Sequence, residues 1–576
     1  MAYNILGIHP GHNSSIALIS DGKLVYYLEE ERLSRIKRDS VPFRTMVDIC
    51  SKYKIDELAI GGTNDKLEHN KTPWMIMNYF VHLAKKYNKN VKISDFKLEH
   101  HLTHASIAFF NSGFKSSAVI VIDGAGSKRS YKDLPSTDLK EAIAYETETI
   151  YNVNYQEGFK CLYKNHGAET NERARFSNNG VGTDFIIDST AGIAKTYEAV
   201  TKYLGWHPIE AGKTMGLGPY GKQNPNIPPL FKNGKGNRDL FITRYPAEAI
   251  LDYINNPLFL RSRPPKEFHK DPSKLLEIEA DLAWQVQNDT QEEVAKLIEK
   301  TINLTGQNKI CIVGGYGLNC VANYYLKKKF PDIEIYHEPI AHDGGTSIGA
   351  ARYCWFEYSK NQHIEKQTSI YLGPKYSKKK LLKTIKSYKN MFKQYKVNYF
   401  DIAKLISERN IVTIFQGRSE AGPRALGNRS ILYDPTDPNG KDFVNKVKNR
   451  EWFRPFAGTV LLEKAHEYFD MAGLEESPFM MYAMDVWPNK QEQIQAITHV
   501  DGTCRIQTVT EKQNPHYYKL IQEFEKITGV PILFNTSFNL AGDPLVETIE
   551  DALETLLKSE LKYLYLPELE MLLEKK

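Results

Sequence analysis

Apolar and polar positions fall in blocks that predict an α/β protein. Asn4–Gly7 is a short apolar strand and Ser15–Ile19 a second; the Asp21-Gly22 turn leads into Lys23–Leu28, so the chain opens as a hairpin. The pattern recurs at Ala118–Ile122, a buried-type strand ending in Asp123-Gly124. After a polar insert at Ser127–Lys140 the chain resumes as a strand over Ala142–Thr149. A further apolar strand, Ile310–Val313, ends in Gly314-Gly315. Between these lies Ser273–Leu304, where Leu282, Val286, Val294, Leu297 and Ile298 share one helix face; Ser273, after Pro272, reads as its N-cap. Gly349–Tyr358 is a second helical stretch. Glycine-punctuated strand ends separated by helices put ligands at the carboxyl edges of strands.

The loop signal Leu372-Gly373-Pro374 divides a domain at 1–370 from one at 371–576. The lysine-rich stretch 375–396 interleaves Leu381, Leu382, Ile385 and Phe392 with nine lysines, the pattern of a solvated amphipathic helix; an anion or nucleic-acid surface is the alternative. Beyond it come a strand at Ile411–Phe415, a Gly/Arg-rich loop through Arg429, and a strand at Val530–Leu533. A closing helix starts near Thr548, which stands three residues before Asp551, capping-box spacing.

Composition narrows the class. With 576 residues there is length for more than one core, and 41% hydrophobic with 25% charged residues excludes a disordered or fibrous chain. A net charge of +5 is too balanced to announce a nucleic-acid partner, and no apolar run approaches the roughly 18 residues that cross a bilayer. Polar His12, Asn13 and Ser14 interrupt the start, so it does not read as a signal peptide. Six scattered cysteines with no C-x-x-C pair disfavour a thiolate zinc site or disulfide framework and point to the cytoplasm.

Three constellations carry candidate chemistry. His100 and His104, four apart, share a face of any helix formed there, and His101 points away. Carboxylates at two other strand or loop edges, Asp123 and Asp343, complete a nitrogen/oxygen set suited to iron, manganese, cobalt or zinc. The second constellation is glycine beside polar residues: Asp123–Ser127, Gly314–Asn319, and Lys213–Gly221 with Glu210 and Lys213 as polar handles. Such turns either bring backbone N–H groups close to a phosphate or nucleotide or are merely tight; no Walker A pattern is present. The third is Gln416–Ser430, with Arg418, Arg424 and Arg429 among glycines, followed by Lys448, Arg450, Arg454, Arg505 and Asn535–Asn539. Arginine forks among small residues suit a bidentate oxyanion pocket, with a structural role as the alternative.

Together these blocks closely resemble the O-carbamoyltransferase family of nodulation-type and antibiotic-tailoring enzymes. The likeness is carried by Gly11–Ser14, Glu29–Arg32, His100–His104, Val121–Gly126, Lys213–Gly221, Gly314–Asn323, Glu420–Ser430, Arg450–Phe456, His499–Gln507 and Phe534–Asn539. The resemblance implies an N-terminal domain of the actin/Hsp70/sugar-kinase (ASKHA) superfamily, akin to tRNA threonylcarbamoyl-transfer proteins, followed by a YrdC-like α/β domain. It further implies that the second domain makes carbamoyl adenylate from carbamoyl phosphate and ATP (with magnesium), and that the first passes the carbamoyl group to a hydroxyl beside iron or a similar divalent metal.

By motif position His100, His104, Asp123 and Asp343 become metal ligands, His12 the active-site histidine and Lys37 a basic residue aiding transfer. Arg418, Lys448, Arg505, Asn535 and Ser537 become carbamoyl-phosphate and adenylate contacts, and Arg424 joins them from the oxyanion reading; Lys446, two residues from Lys448, competes for its place. Gly124, Gly126, Lys213, Gly314, Gly315 and Asn319 are assigned to nucleotide or adenylate. The expected acceptor is a small-molecule hydroxyl of the natural-product kind, with no membrane or nucleic-acid partner and a homodimer left open. The polar region 128–187, with its loop Asn178–Gly182, is expected to shape the acceptor pocket. An RNA-directed modification protein is the competing class; hydrogenase-maturation carbamoylation lacks its C-x-x-C fingers here, and a sugar kinase leaves the arginine-rich half unexplained.

Overall fold

The computed structural model describes residues 2–62, 71–96, 98–130, 143–169, 192–227, 229–232, 242–243 and 266–576. Tertiary contacts gather the chain into two compact units, Met1–Val25 with Ser40–Gln367, and Tyr26–Asp39 with Thr368–Lys576. The cut after Gln367 lies near the expected 370, but no single cut along the sequence assigns Tyr26–Asp39, which belongs with the second unit. Its arginines explain why: Arg32 donates to the Gly422 carbonyl at 3.0 Å, and Arg35 to those of Leu545 and Pro544 at 2.7 and 3.0 Å.

Both units are α/β. A five-stranded sheet runs in the order β3-β2-β1-β4-β5, built from β1 (Asn4–His9), β2 (Ser15–Ser20), β3 (Lys23–Glu29), β4 (Glu57–Ile60) and β5 (Lys92–Asp95). The opening hairpin forms as expected, with β1 antiparallel to β2, while β4 lies parallel to β1 on its other side. A second sheet runs β13-β12-β6-β8-β7, from β6 (Ser116–Ile122), β7 (Lys128–Ser130), β8 (Ile143–Asn154), β12 (Lys309–Val313) and β13 (Glu334–His337), with β9 (Gly158–Glu169) paired to β8. A short ribbon, β10 (Phe231–Lys232) and β11 (Ile242–Thr243), stands apart. Strands β1 and β6 are apolar runs rather than alternations because both of their faces are covered. Glycine permits the closest cover: a Cβ on Gly7 would lie 1.9 Å from the Ser347 carbonyl, and one on Gly349 1.8 Å from that of Thr103. Strand β1, the Thr346–Tyr358 helix and the His100–Ser112 helix therefore stack at backbone distance.

The second unit is one nine-stranded sheet, β14-β22-β21-β15-β16-β20-β17-β19-β18. Its strands are β14 (Phe392–Lys396), β15 (Val412–Phe415), β16 (Arg429–Tyr433), β17 (Ala457–Leu461), β18 (Ala483–Asp485), β19 (Thr503–Val509), β20 (Ile532–Ser537), β21 (Tyr563–Leu566) and β22 (Met571–Lys575). The Thr548/Asp551 capping box opens the Ile549–Leu557 helix, as its spacing predicts.

Several expectations need correction. The long helix spans Glu277–Thr305 with Leu276 at its N-cap; Ser273 sits in a separate 3-10 turn capped by Asp271. The lysine-rich stretch is a helix only over Lys378–Ser387, and Phe392–Lys396 instead pairs with Met571–Lys575, where strand partners outweigh local helical spacing. The Ile549–Leu557 helix does not close the chain, since β21 and β22 follow it. Lys213–Gly221 is not a loop but the helix Ala211–Leu217 and a 3-10 turn over Gly218–Tyr220. Its glycines serve packing: a Cβ on Gly221 would meet the Ala280 carbonyl at 2.1 Å. Of the 128–187 region, residues 143–169 are the β8–β9 hairpin, while 131–142 and 170–187, including Asn178–Gly182, lie outside the described residues. The six cysteines are free. Among the described residues no helix is long and apolar enough to cross a membrane.

Candidate functional site

Four segments far apart in sequence converge in the first unit. His100 and His104 occupy the first turns of the His100–Ser112 helix, with their Nε2 atoms 3.0 Å apart. His100 Nδ1 lies 3.0 Å from the Gly62 carbonyl, which can only accept, so Nδ1 carries the hydrogen and Nε2 is left to face the cluster. Such a tautomer lock is what orients a ligating imidazole. Gly62 is required here, because a Cβ would fall 2.4 Å from His100 Cα. Asp123 follows β6; its Oδ2 stands 3.3 Å from His100 Nε2 and its Oδ1 accepts the Gly315 N–H at 3.2 Å. Asp343 opens the turn before the Thr346–Tyr358 helix, with Oδ1 at 3.7 and 3.6 Å from the Nε2 atoms of His100 and His104. One ligand atom from each of the four lies within 4.8 Å of the others, and all four residues are buried.

The donor set fits a divalent cation. Ligands about 2.1 Å from one ion stand roughly 3.0–3.5 Å apart, close to the separations seen. Two carboxylates are buried side by side, and the charged side chains that pair with them are imidazoles. Burial by itself would drive His100 down, but Asp343 and Asp123 carry it up to about 9. Burial and Asp343 would raise Asp123, yet His100 and His104 hold it below the usual carboxylate range. Asp343 is likewise held well below that range by His12 and His100 against its own burial. The cluster thus holds two carboxylates in a buried place, a group that could hold a metal ion.

His12 reaches the same carboxylate from the turn after β1, with Nε2 3.2 Å from Asp343 Oδ2 and a half-exposed ring. His101 turns away as expected: Nδ1 meets Thr149 Oγ1 at 2.7 Å, and burial pushes it down to about 3. Sequence reading missed His9. Thr346 Oγ1 donates to the Asp343 carbonyl at 2.7 Å and so must accept from His9 Nδ1 at 2.9 Å. Burial pushes this histidine to about 3, leaving a neutral ring that braces the Asp343 turn. The signal available was a histidine at a buried strand end three residues before His12.

The glycine turns around the cluster are tight. A Cβ on Gly124 would lie 2.2 Å from Glu198 Oε1 and one on Gly126 2.7 Å from the His101 ring. Gly314 adopts φ +92° and has the Ile122 carbonyl at Cβ distance 2.3 Å, so the Gly314-Gly315 turn aims a backbone N–H at Asp123. Asn319 caps the Cys320–Lys329 helix through the Ala322 N–H and donates to Gln287 Oε1 at 3.0 Å. Lys213 pairs with Glu210 at 3.1 Å.

In the second unit, Glu420 Oε1 accepts the N–H groups of Leu426, Asn428 and Arg429 and so folds the Gly/Arg-rich loop. Arg429 is wholly buried: it stacks on Phe415 at 3.7 Å and pairs with buried Glu547 at 3.7 Å, a structural use of one of the three loop arginines. Arg418 donates to the carbonyls of Leu372 and Gly373, and Arg424 is half-buried. Lys448 is buried while Lys446 is exposed, which separates the two. The Lys448 ammonium donates to the carbonyls of Ser537 and Asn539 and to Asn539 Oδ1, and Ser537 Oγ donates to the same Oδ1 at 2.7 Å. Burial, with Arg450 and Arg454 nearby, pushes Lys448 well below its usual value. Burial with Arg454 and Arg505 acts on Arg450 in the same direction, although Glu451 opposes them. Cations crowded this way favour an anionic guest. Strand register places Arg505 and Asn535 opposite Ala457 from its two sides. Lys37 forms an ion pair with Glu31 at 2.8 Å within the second unit's Tyr26–Asp39 segment.

Comparison with known proteins gives the family of the chain. Residues 53–352 match the family described as carbamoyltransferase N-terminus, and 403–574 match the carbamoyltransferase C-terminus. The chain is 31% identical over 582 residues to nodulation protein NolNO of Sinorhizobium fredii (strain NBRC 101917 / NGR234), covering 96% of this chain and 77% of that one. It is 31% identical over 488 residues to nodulation protein NolO of Bradyrhizobium diazoefficiens, covering 81% and 77%. Among solved structures, full-length HypF in its phosphate- and nucleotide-bound form overlaps with TM-score 0.37 at 13% identity, over 61% of this chain and 55% of that one. The chain belongs to the carbamoyltransferase family and is a group-transferring enzyme.

Proposed function

We propose that this chain is an ATP-dependent O-carbamoyltransferase acting in the cytoplasm, with an ASKHA-type transfer unit and a YrdC-like activating unit. The observation that carries the reading is the convergence of His100, His104, Asp123 and Asp343 in one buried cluster with His12 at its edge. In the second unit carbamoyl phosphate and magnesium ATP meet the cations Lys448, Arg450, Arg454 and Arg505. One water opens carbamoyl phosphate to carbamate and phosphate; a carbamate oxygen then displaces pyrophosphate from ATP, giving carbamoyl adenylate. The acceptor hydroxyl attacks the carbamoyl carbon, AMP leaves, and the hydroxyl proton goes to the protein. Arginine and lysine stabilise the oxyanion charge that builds during activation.

In the first unit His12, whose ring stands between Asp343 Oδ2 and Asn13 Oδ1 at the edge of the cluster, takes the acceptor's proton. The ion held by His100, His104, Asp123 and Asp343, for which iron is our assignment, supplies Lewis acidity toward the adenylate when bound. A reactive mixed anhydride needs water kept out, and the four ligand residues are buried. The acceptor is a hydroxyl of a small natural product. The test is incubation with carbamoyl phosphate and ATP, monitoring pyrophosphate and the mass of carbamoyl adenylate. Arg505→Ala should abolish adenylate, whereas His12→Ala should still form it but fail to transfer it. Loss of both steps in the His12 variant refutes separate sites.

A further inference from the structure

The helix that carries His100 and His104 opens without a cap of its own: the Glu99 side chain makes no capping hydrogen bond. An α-helix begins with backbone N–H groups that have no partner inside it. Here the first two belong to His100 and His101, both buried, so acceptors have to come from elsewhere. They come from two other segments. Ser127 Oγ accepts the His100 N–H at 3.0 Å, and Glu146 Oε2 accepts the His101 N–H at 3.4 Å. The same Oε2 accepts the Ser127 N–H at 3.1 Å, so one carboxylate holds the second helical residue directly and the first through the serine. Ser127 and Glu146 are both wholly buried.

These contacts tie two of the four cluster residues together. Asp123 and Ser127 are the ends of one short stretch, Asp123-Gly124-Ala125-Gly126-Ser127. Its far end is pinned to β8 by two backbone bonds, Gly126 N–H to the Glu146 carbonyl at 2.8 Å and Glu146 N–H to the Ser127 carbonyl at 3.3 Å. Gly126 makes this approach possible, since a Cβ there would lie 2.8 Å from Glu146 Cβ. His100 is therefore anchored twice, its backbone by the stretch that bears Asp123 and its ring by the Gly62 carbonyl at 3.0 Å. His104 follows one helical turn on. Glu146 is balanced from the next strand, where Lys164 of β9 pairs with its Oε1. Negative charge at a helix N-terminus is favoured by the helix dipole.

Resting on the divalent-ion reading above, we infer that Glu146 and Ser127 are positioning residues of the ion site: they cap the helix from outside and so set how the imidazoles of His100 and His104 meet Asp123. The β8–β9 hairpin belongs to the polar region expected to shape an acceptor pocket, and this gives its first strand a separate task. A cap supplied by a distant strand fixes a helix in place as well as stabilising it, because the acceptor atoms stay where the sheet puts them. Groups that orient ligands without touching the ion commonly change its affinity by about 10- to 100-fold when removed.

The experiment titrates cobalt(II) into the chelated full chain and reads both the dissociation constant and the visible d–d spectrum, which reports ligand geometry. Ser127→Ala should weaken cobalt binding by about 10-fold or more and change the spectrum. Two further variants share a Lys164→Met background, so that no ammonium is stranded. Glu146→Gln keeps an oxygen for the Ser127 and His101 N–H groups and should bind nearly as the wild type does. Glu146→Met has almost the same shape without that oxygen, and should lose about 10- to 100-fold with an altered spectrum. A folded Ser127→Ala or Glu146→Met protein with wild-type affinity and spectrum, or a Gln variant as weak as the Met one, overturns this inference and leaves ion binding intact. A wild type that takes up no cobalt overturns the ion assignment itself, and this inference with it.

Discussion

Removing one imidazole from the buried cluster separates a metal site from a mere core of histidines. His104 is the informative choice, because its Nε2 faces the cluster and His12 is not among its partners. His104→Ala also leaves a cavity, costing on the order of 2–4 kcal/mol whatever its role, so the absolute melting temperature decides nothing. The increment produced by the ion does. With free ion at about 100 times the dissociation constant, binding to the folded state alone stabilises by about 2.7 kcal/mol. For a unit of this size, at about 2 °C per kcal/mol, that is a rise of about 5 °C. Losing one of four ligands weakens binding by about 100-fold or more, so the same ion concentration then gives only about 0.4 kcal/mol and under 1 °C. The assay is a thermal melt after chelation, with iron(II), manganese(II), cobalt(II) or zinc(II) titrated back. His101→Ala, whose ring bonds Thr149 instead, should keep the full increment. An equal increment in the His104 variant would refute the assignment of that imidazole as a ligand.

Three more outcomes follow from the packing and the charges. Gly349→Ala would put a Cβ 1.8 Å from the Thr103 carbonyl and so drive the His100–Ser112 helix away from the Thr346–Tyr358 helix, weakening ion binding as well as stability; calorimetric titration of the ion would read the first effect. Acid should destabilise the first unit. His9, His101 and His337 are each pushed by burial from 6.5 to about 3. Their stability contribution is complete above pH 6.5 and is lost as pH falls from 6.5 toward 3, on the order of 2 kcal/mol each by pH 5, which denaturant melts at pH 7 and 5 would detect. Glu547→Leu should cost the second unit about 3–5 kcal/mol by stranding the Arg429 guanidinium, measurable as a lowered denaturation midpoint at unchanged slope.

Much of the architecture was legible because local rules and the tertiary fold agree there. The opening hairpin, the strands ending at Asp123 and at Gly314, and the Thr548 capping box follow from apolar runs, turn glycine and cap chemistry, all short-range effects. The i, i+4 spacing of His100 and His104 sufficed to put two imidazoles on one face. Where the rules misled, a distant partner had overruled them. Lysines spaced for a helix became β14 because Met571–Lys575 offered a strand, and glycines read as a phosphate loop proved to be the close face of a helix packed on Ala280.

Residue types and spacing alone thus marked out candidate side chains for a cation and for an anion. Tertiary structure decided which of them meet. His9 enters through a hydroxyl 337 positions away, Asp343 joins His100 across more than two hundred residues, and Arg429 turns inward to Glu547 instead of toward a ligand. The reason is that coordination, burial and hydrogen-bond direction depend on distances of a few ångströms between separate segments, and sequence separation carries no information about those.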